Sequence, residues 1–285
     1  MSLSLKNSLV SLEISEHGAE ITKLQYKNND VIWNASEPWK RHAPILFPIV
    51  GKLKDNTYYY YQQAYSLPQH GFARDMQWKL IEQTEKNIAF ELTANAETLK
   101  TYPFHFSLIV NYILEDTELK IIFMVFNPNH CVLPFSIGFH PAFNTFSALQ
   151  HFKIEILPKQ ELLQRTILHN GLLLNQTEQV PLSQKSFLPL STSLFDKDAV
   201  VFCHQGIKEV ALVSEQFNYK MQIDCGNCAN IGLWAKPNCN NFVCIEPWMG
   251  IADSIDTNQN ILEKKDIILL APYQLWKWNI SLKFF

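Results

Sequence analysis

Three short stretches of this 285-residue chain join an ionisable side chain to a constrained backbone. The first is Gln69-His70-Gly71-Phe72-Ala73-Arg74-Asp75, an imidazole beside a glycine with a guanidinium close behind. On spacing alone it reads equally well as a turn carrying a surface histidine. The second is Ser136-Ile137-Gly138-Phe139-His140-Pro141-Ala142-Phe143. A lone histidine in so apolar a run is more often a hydrogen-bonded core residue, but Pro141 holds His140 extended and Gly138 lets another group come close. The third is Cys244-Ile245-Glu246-Pro247-Trp248-Met249-Gly250. Glu246 ends the apolar run Phe242–Ile245, and a carboxylate there is costly unless it is paired or used. A carboxylate beside the flat face of Trp248 is what a sugar needs, with its hydroxyls hydrogen-bonded and its C–H face stacked. The plainer alternative is a glutamate that caps a turn.

Two metal arrangements compete for the same residues. Cys225-Gly-Asn-Cys228 with Cys239 and Cys244 hints at zinc, but the second pair is spaced too widely for a tight knuckle and runs into an apolar strand. A cupin-like site of His70, His140, His204 and Glu246 lacks the His-x-His spacing that would support it. The expectation is no metal and no cofactor.

Such groups need rigid elements behind them, and the dominant period along the chain is two. Phe106, Leu108, Val110, Tyr112 and Leu114 alternate with more polar positions. After an acidic turn, Leu119, Ile121, Phe123 and Val125 alternate again. This predicts an antiparallel hairpin. Near the C-terminus, Trp276, Trp278, Ile280, Leu282 and Phe284 point one way and Lys277, Asn279, Ser281 and Lys283 the other. Further strands are predicted at Leu9–Ile14, Thr57–Leu67, Trp78–Glu82, Ile88–Thr93, Phe152–Leu157, Ala199–Cys203, Glu209–Ser214, Tyr219–Ile223, Asn230–Ala235, Phe242–Glu246 and Ile267–Leu270, with a short helix at Ala96–Thr101. No strand–helix alternation suggests a parallel sheet, and no linker divides the chain. The expected fold is all-β: one domain over residues 1–285, a large antiparallel two-sheet β-sandwich with few short helices.

Composition narrows the function classes. Charged residues make up 18% of the chain, against roughly 25% in an average protein. With 47% hydrophobic residues this excludes a disordered chain. The net charge of −3, with Arg41, Arg74 and Arg165 the only arginines, argues against a nucleic-acid partner. The charge-free run Ile121–Phe152 is broken by Pro128, Pro134 and Pro141, so it does not read as a membrane span. The start shows no basic segment followed by an apolar one, and the six cysteines form no disulfide framework. A cytoplasmic protein with reduced thiols is expected.

Taken together, Pro44-Ile-Leu-Phe-Pro-Ile-Val-Gly51-Lys52, His70-Gly-Phe-Ala-Arg74-Asp75, Gly138-Phe-His140-Pro-Ala-Phe143 and Cys244-Ile-Glu246-Pro-Trp248-x-Gly250-x-x-Asp253 resemble the aldose 1-epimerase (mutarotase) family, in particular its bacterial LacX-like branch. The resemblance runs from about residue 5 to 285. It implies a single-domain β supersandwich that interconverts the α and β anomers of free aldoses without a cofactor. It also implies three catalytic residues: Glu246 as general base, His140 as general acid, and His70, which binds the sugar and helps polarise the ring oxygen. Lys52, Arg74 and Asp198 become sugar contacts, with Asp196 competing for the place of Asp198, and Trp234 and Trp248 become pocket walls. Residues 160–190 match nothing in the family pattern. Which histidine donates the proton rests on the resemblance. The expected partner is a small sugar, free or phosphorylated, and the protein a monomer or homodimer. A hexose 6-phosphate mutarotase and a non-catalytic sugar-binding sandwich are the alternatives. A retaining glycosidase would need a second carboxylate about 5–5.5 Å from Glu246.

Overall fold

The computed structural model describes residues 2–184 and 186–285. Two large antiparallel sheets carry the fold. One has nine strands in the order Phe187–Pro189, Lys153–Leu157, Glu209–Ser214, Tyr219–Asp224, Leu275–Phe284, Glu118–Phe126, Ser107–Glu115, Asn87–Thr93 and Lys79–Gln83. The C-terminal strand thus lies in the middle of this sheet, not at its edge. Trp278, Ile280, Leu282 and Phe284 are buried and Lys277 and Asn279 exposed, as the sequence predicts, but Ser281, expected on the wet face, is buried as well.

The second sheet carries Glu246 and Trp248. Its order is Leu172–Pro181, Leu162–His169, Val200–Cys203, Asn230–Trp234, Phe242–Met249, Ile137–Phe139 and Ile45–Leu46, with Ala142–Asn144 also pairing to Phe242–Met249. Between the two sheets lies a core cluster with members from Leu5 to Phe284. Phe123 of the nine-stranded sheet meets Phe139 of the other at 6.4 Å between ring centroids. Smaller sheets complete the fold, among them Ser2–Lys6, Val10–Ser15, Ile21–Tyr26 and Asn29–Asp30.

Most predicted strands are present to within a residue or two, and the helix is Ala96–Thr101 as expected. Its N-terminus is closed by a capping box between Asn95 and Thr98, which satisfies backbone donors left free in a first turn. Two expectations change. Thr57–Leu67 is not one strand but a hairpin, Thr57–Tyr60 and Gln63–Ser66, turning at Tyr61 and Gln62, both at positive φ. The unplaced stretch 160–190 contains the long hairpin Leu162–His169 and Leu172–Pro181.

Candidate active site

Period two on the strand Phe242–Met249 sorts its residues onto two faces. Val243 and Ile245 belong to the core between the sheets. Cys244, Glu246 and Trp248 point the other way, into separate clusters and a cleft of about 410 Å³. The neighbouring strand repeats the division: Ile231 and Leu233 face the core, while Trp234 lines the cleft. The cleft therefore lies on the face of the eight-stranded sheet that looks away from the core.

Glycines make room for the cleft wall. Trp248 pairs in register with Gly138, and Gly232 pairs with Glu246. A Cβ at Gly138 would come within 2.7 Å of the Trp248 ring, and one at Gly232 within 2.5 Å. The indole fits because neither flanking strand carries a side chain there. His70 is held by a different device. It has φ 67° and Gly71 has φ 70°, two left-handed residues in succession. A Cβ at Gly71 would lie 2.2 Å from the Phe47 carbonyl oxygen. This turn allows His70 N–H to donate to Gly51 O at 2.8 Å and Gly51 N–H to donate back to His70 Nδ1 at 3.1 Å. Nδ1 is thus an acceptor, which places the ring proton on Nε2.

The structure brings His70, His140 and Glu246 together. His140 Nε2 lies 3.1 Å from Glu246 Oε2, and the His70 and His140 rings meet edge to face at 5.6 Å. The close pair is misaligned: Glu246 Oε2 and His140 Nδ1 are both buried without a hydrogen-bond partner. Glu246 is 1% exposed and His140 8%. Burial pushes the Glu246 carboxyl well above the usual carboxylate range, with the adjacent Trp248 indole N–H pulling it back and Asp198 adding to the rise. Burial also lowers His140, to about 3, against an upward pull from its backbone contact. A nearby carboxylate favours a protonated imidazole, but at His140 desolvation wins because so little water reaches the pair. His70 is pushed well below its ordinary value by burial first and then by His140, Arg74 and Arg41.

Other predicted residues reach the same cleft. Lys52 lines it and donates from Nζ to Asn170 O at 3.2 Å. Arg74 lines it, donates from Nη2 to Gln69 O at 2.7 Å, and keeps Nε buried without a hydrogen bond, 3.7 Å from Asp75 Oδ2. Burial lowers Arg74 to about 10. Asp198 lines the cleft at φ 91°, accepting from Ala199 N–H at 2.8 Å; Asp196 is exposed and outside the lining. Trp234 and Trp248 form walls.

The cupin-like group does not assemble. His204 is exposed and binds Asp266 at 2.9 Å, away from the other two histidines. The four cysteines do not gather either, because Cys225 packs in the main core while Cys239 and Cys244 pack with Trp33 and Phe242.

Sequence reasoning missed Trp39 and the tip of the hairpin Leu162–Pro181. Trp39 stacks on His140 at 5.2 Å with 23° between the rings. Its one signal is a tryptophan in the otherwise polar loop Glu37–His42. Asn170 and Gly171 at the hairpin tip also line the cleft. The tip is tied down by Leu173 N–H donating to Asp253 O at 2.8 Å.

The comparisons concern the chain as a whole. Residues 1–264 match the family model described as aldose 1-epimerase. The chain is 30% identical over 278 residues to the plasmid-borne protein LacX of Lactococcus lactis subsp. lactis, covering 93% of each. A galactose mutarotase related enzyme of Lactobacillus acidophilus superposes with a TM-score of 0.95 at 33% identity, over 100% of this chain and 97% of that one. A galactose mutarotase-like protein of Lactobacillus casei gives the same TM-score at 28% identity, over the whole of both chains. No helix among the described residues is long and apolar enough to cross a membrane. The match over residues 1–264, the LacX identity and the shared fold show that this chain belongs to the aldose 1-epimerase family, an isomerase of the mutarotase type whose substrate is a small sugar.

Proposed function

We propose that the cleft interconverts the α and β anomers of a free aldohexose, with Glu246 and His140 moving the protons. The observation that carries this reading is a buried acid–base pair at 3.1 Å in which Glu246 Oε2 and His140 Nδ1 make no hydrogen bond within the protein. Glu246 takes the proton of the C1 hydroxyl while His140 delivers one to the ring oxygen. The ring opens to an aldehyde, the C1–C2 bond rotates, and closure reverses both transfers. The pair needs one transferable proton, and it holds that number whether written as carboxylic acid with neutral imidazole or as carboxylate with imidazolium. Burial disfavours the charge on both groups and so favours the first form. An incoming sugar hydroxyl gives the carboxylate a hydrogen bond and so favours the second. His70 donates from Nε2 to the sugar, held by its bond to Gly51. Lys52 and Asp198 bind hydroxyls, and Trp39, Trp234 and Trp248 present apolar faces to the ring.

One observation favours a phosphorylated sugar instead: Arg74 Nε is buried beside the cleft without a hydrogen bond, with Asp75 Oδ2 at 3.7 Å. Yet Arg74 Nη2 is already committed to Gln69 O and Arg41 to Asp75, which leaves little of the forked donor set that a phosphate takes. A free aldose is therefore the better fit. The core running from Leu5 to Phe284 supports a single domain. The test is polarimetry or NMR of freshly dissolved α-glucose, α-galactose and glucose 6-phosphate, with and without protein. Acceleration of the free sugars is expected. A large preference for glucose 6-phosphate would move the choice to the phosphosugar, and saturable sugar binding without any acceleration would leave a binding protein.

A further inference from the structure

We propose that His140, Cys244 and Glu246 form a binding site for a soft divalent cation such as Zn²⁺, and that filling it switches off the reaction proposed above. The inhibition half of this inference rests on the roles given to His140 and Glu246; the binding half does not. A nitrogen of His140, Cys244 Sγ and an oxygen of Glu246 all lie within 4.8 Å of one another, and all three residues are buried. Their placement follows from the sheet. Cys244 and Glu246 are two apart on one strand and so share a face, and His140 ends the adjoining strand.

The donors suit the ion. Zinc bonds of about 2.3 Å to sulfur and about 2.0–2.1 Å to nitrogen or oxygen put tetrahedral ligands roughly 3.3–3.6 Å apart. One pair is already at 3.1 Å and opens slightly, while the third donor, within 4.8 Å, moves in by up to about 1.2 Å to reach those separations. Glu246 Oε2 and His140 Nδ1 lack hydrogen-bond partners, so lone pairs or ring rotation are free to serve a cation. A thiolate and a carboxylate together cancel the double positive charge, which is what a buried cation needs. The mixed sulfur, nitrogen and oxygen set favours zinc or cobalt over magnesium or calcium. Trp39, stacked on His140, braces the imidazole. The fourth position opens to the cleft, which His140 and Glu246 line.

On binding, the Cys244 S–H bond breaks, a sulfur–metal bond forms, and the proton leaves to solvent. Any proton on Glu246 leaves with it, and nothing is oxidised or reduced. A cation in this position occupies both the carboxylate and the imidazole, so neither sugar proton can be taken or given.

The test uses full-length protein carrying Cys225→Ser and Cys228→Ser, which removes the other thiol pair. Titration with cobalt(II) chloride should produce a thiolate-to-cobalt charge-transfer band at one equivalent. Cys244→Ser should abolish the band, and Cys239→Ser should retain it. Zinc chloride should displace the cobalt and slow mutarotation about tenfold or more, reversibly with EDTA, while the Cys244→Ser protein stays active and at least about tenfold less sensitive. No band, or a band that depends on Cys239 in place of Cys244, overturns the site. A Cys244-dependent band in a protein that never accelerates mutarotation upholds the site and sinks the catalytic reading.

Discussion

Two buried acid–base pairs stand near the same cleft, and they are built in opposite ways. Lys264 and Asp253 have side chains each 3% exposed and 2.8 Å apart. Lys264 Nζ also donates to Ile251 O at 2.6 Å, and Asp253 Oδ2 accepts from Lys54 N–H at 3.0 Å. Each charge is answered on more than one side, so this pair clamps the loop Gly51–Lys54 and the turn Gly250–Asp253 against each other. His140 and Glu246 are nearly as buried and almost as close, yet Oε2 and Nδ1 are left without partners. A buried polar atom left unmade costs about 1–3 kcal/mol. The fold tolerates that cost at one pair and avoids it at the other. The saturated pair holds structure, and the unsaturated pair is open to a substrate that brings the missing hydrogen bonds.

The contrast can be broken by substitution. Glu246→Gln should lower kcat about 10²–10⁴-fold by polarimetry, since it removes the base without changing shape. A variant with unchanged mutarotation would overturn the assignment. Lys264→Met should instead cost about 3–5 kcal/mol of stability in urea melts, because it strands a buried Asp253. The fraction that folds should show a raised KM with kcat changed far less. Equal loss of kcat would put Lys264 in the chemistry and erase the distinction drawn above.

Smaller effects sharpen the same comparison. Glu246→Gln should raise stability by about 1 kcal/mol near neutral pH, as expected when a strained functional group is neutralised. Its folded pKa is raised, so the native carboxyl costs stability as pH climbs above its ordinary 4.5, where the unfolded chain ionises first. Gln removes that cost, and thermal melts at pH 4.5 and 8 should show the gain growing with pH. His140 has the opposite sign. Its folded pKa of about 3 lies below the ordinary 6.5, so stability falls as pH drops from 6.5 towards 3. His140→Asn should flatten that slope. The lowered His140 predicts that its imidazole does not titrate near the ordinary 6.5, and an NMR titration of that ring with a midpoint there would show that solvent reaches the pair. The smallest change is expected from Trp39→Leu, a several-fold rise in KM from the lost stacking face, worth about 1 kcal/mol.

Much of the site was readable before folding. Glu246 and His140 announced themselves as ionisable groups interrupting apolar runs, each followed by a proline. The long strands of the nine-stranded sheet were readable because one face is wet and one dry. Short strands such as Ile45–Leu46 and Ile137–Phe139 were not, because every residue in them is buried and no alternation survives. The strand Leu172–Pro181 failed for the reverse reason: from Asn175 to Gln179 it is exposed throughout, so it carries no apolar stripe. Trp39 and the Asn170–Gly171 tip were hidden because their importance lies in what they meet from far along the chain.

The sequence by itself determined which groups can do chemistry and, through period two, that Cys244, Glu246 and Trp248 must share a face. It could not determine which buried charge would be satisfied. That depends on how many partners arrive from distant segments: Lys54 N–H for Asp253, the Gly51 backbone for His70, and for Glu246 Oε2 only a misaligned His140 that makes no hydrogen bond. Water access and hydrogen-bond supply are sums over neighbours that only the packed structure brings together. Those sums leave Lys264 and Asp253 as a clamp and make His140 and Glu246 a site.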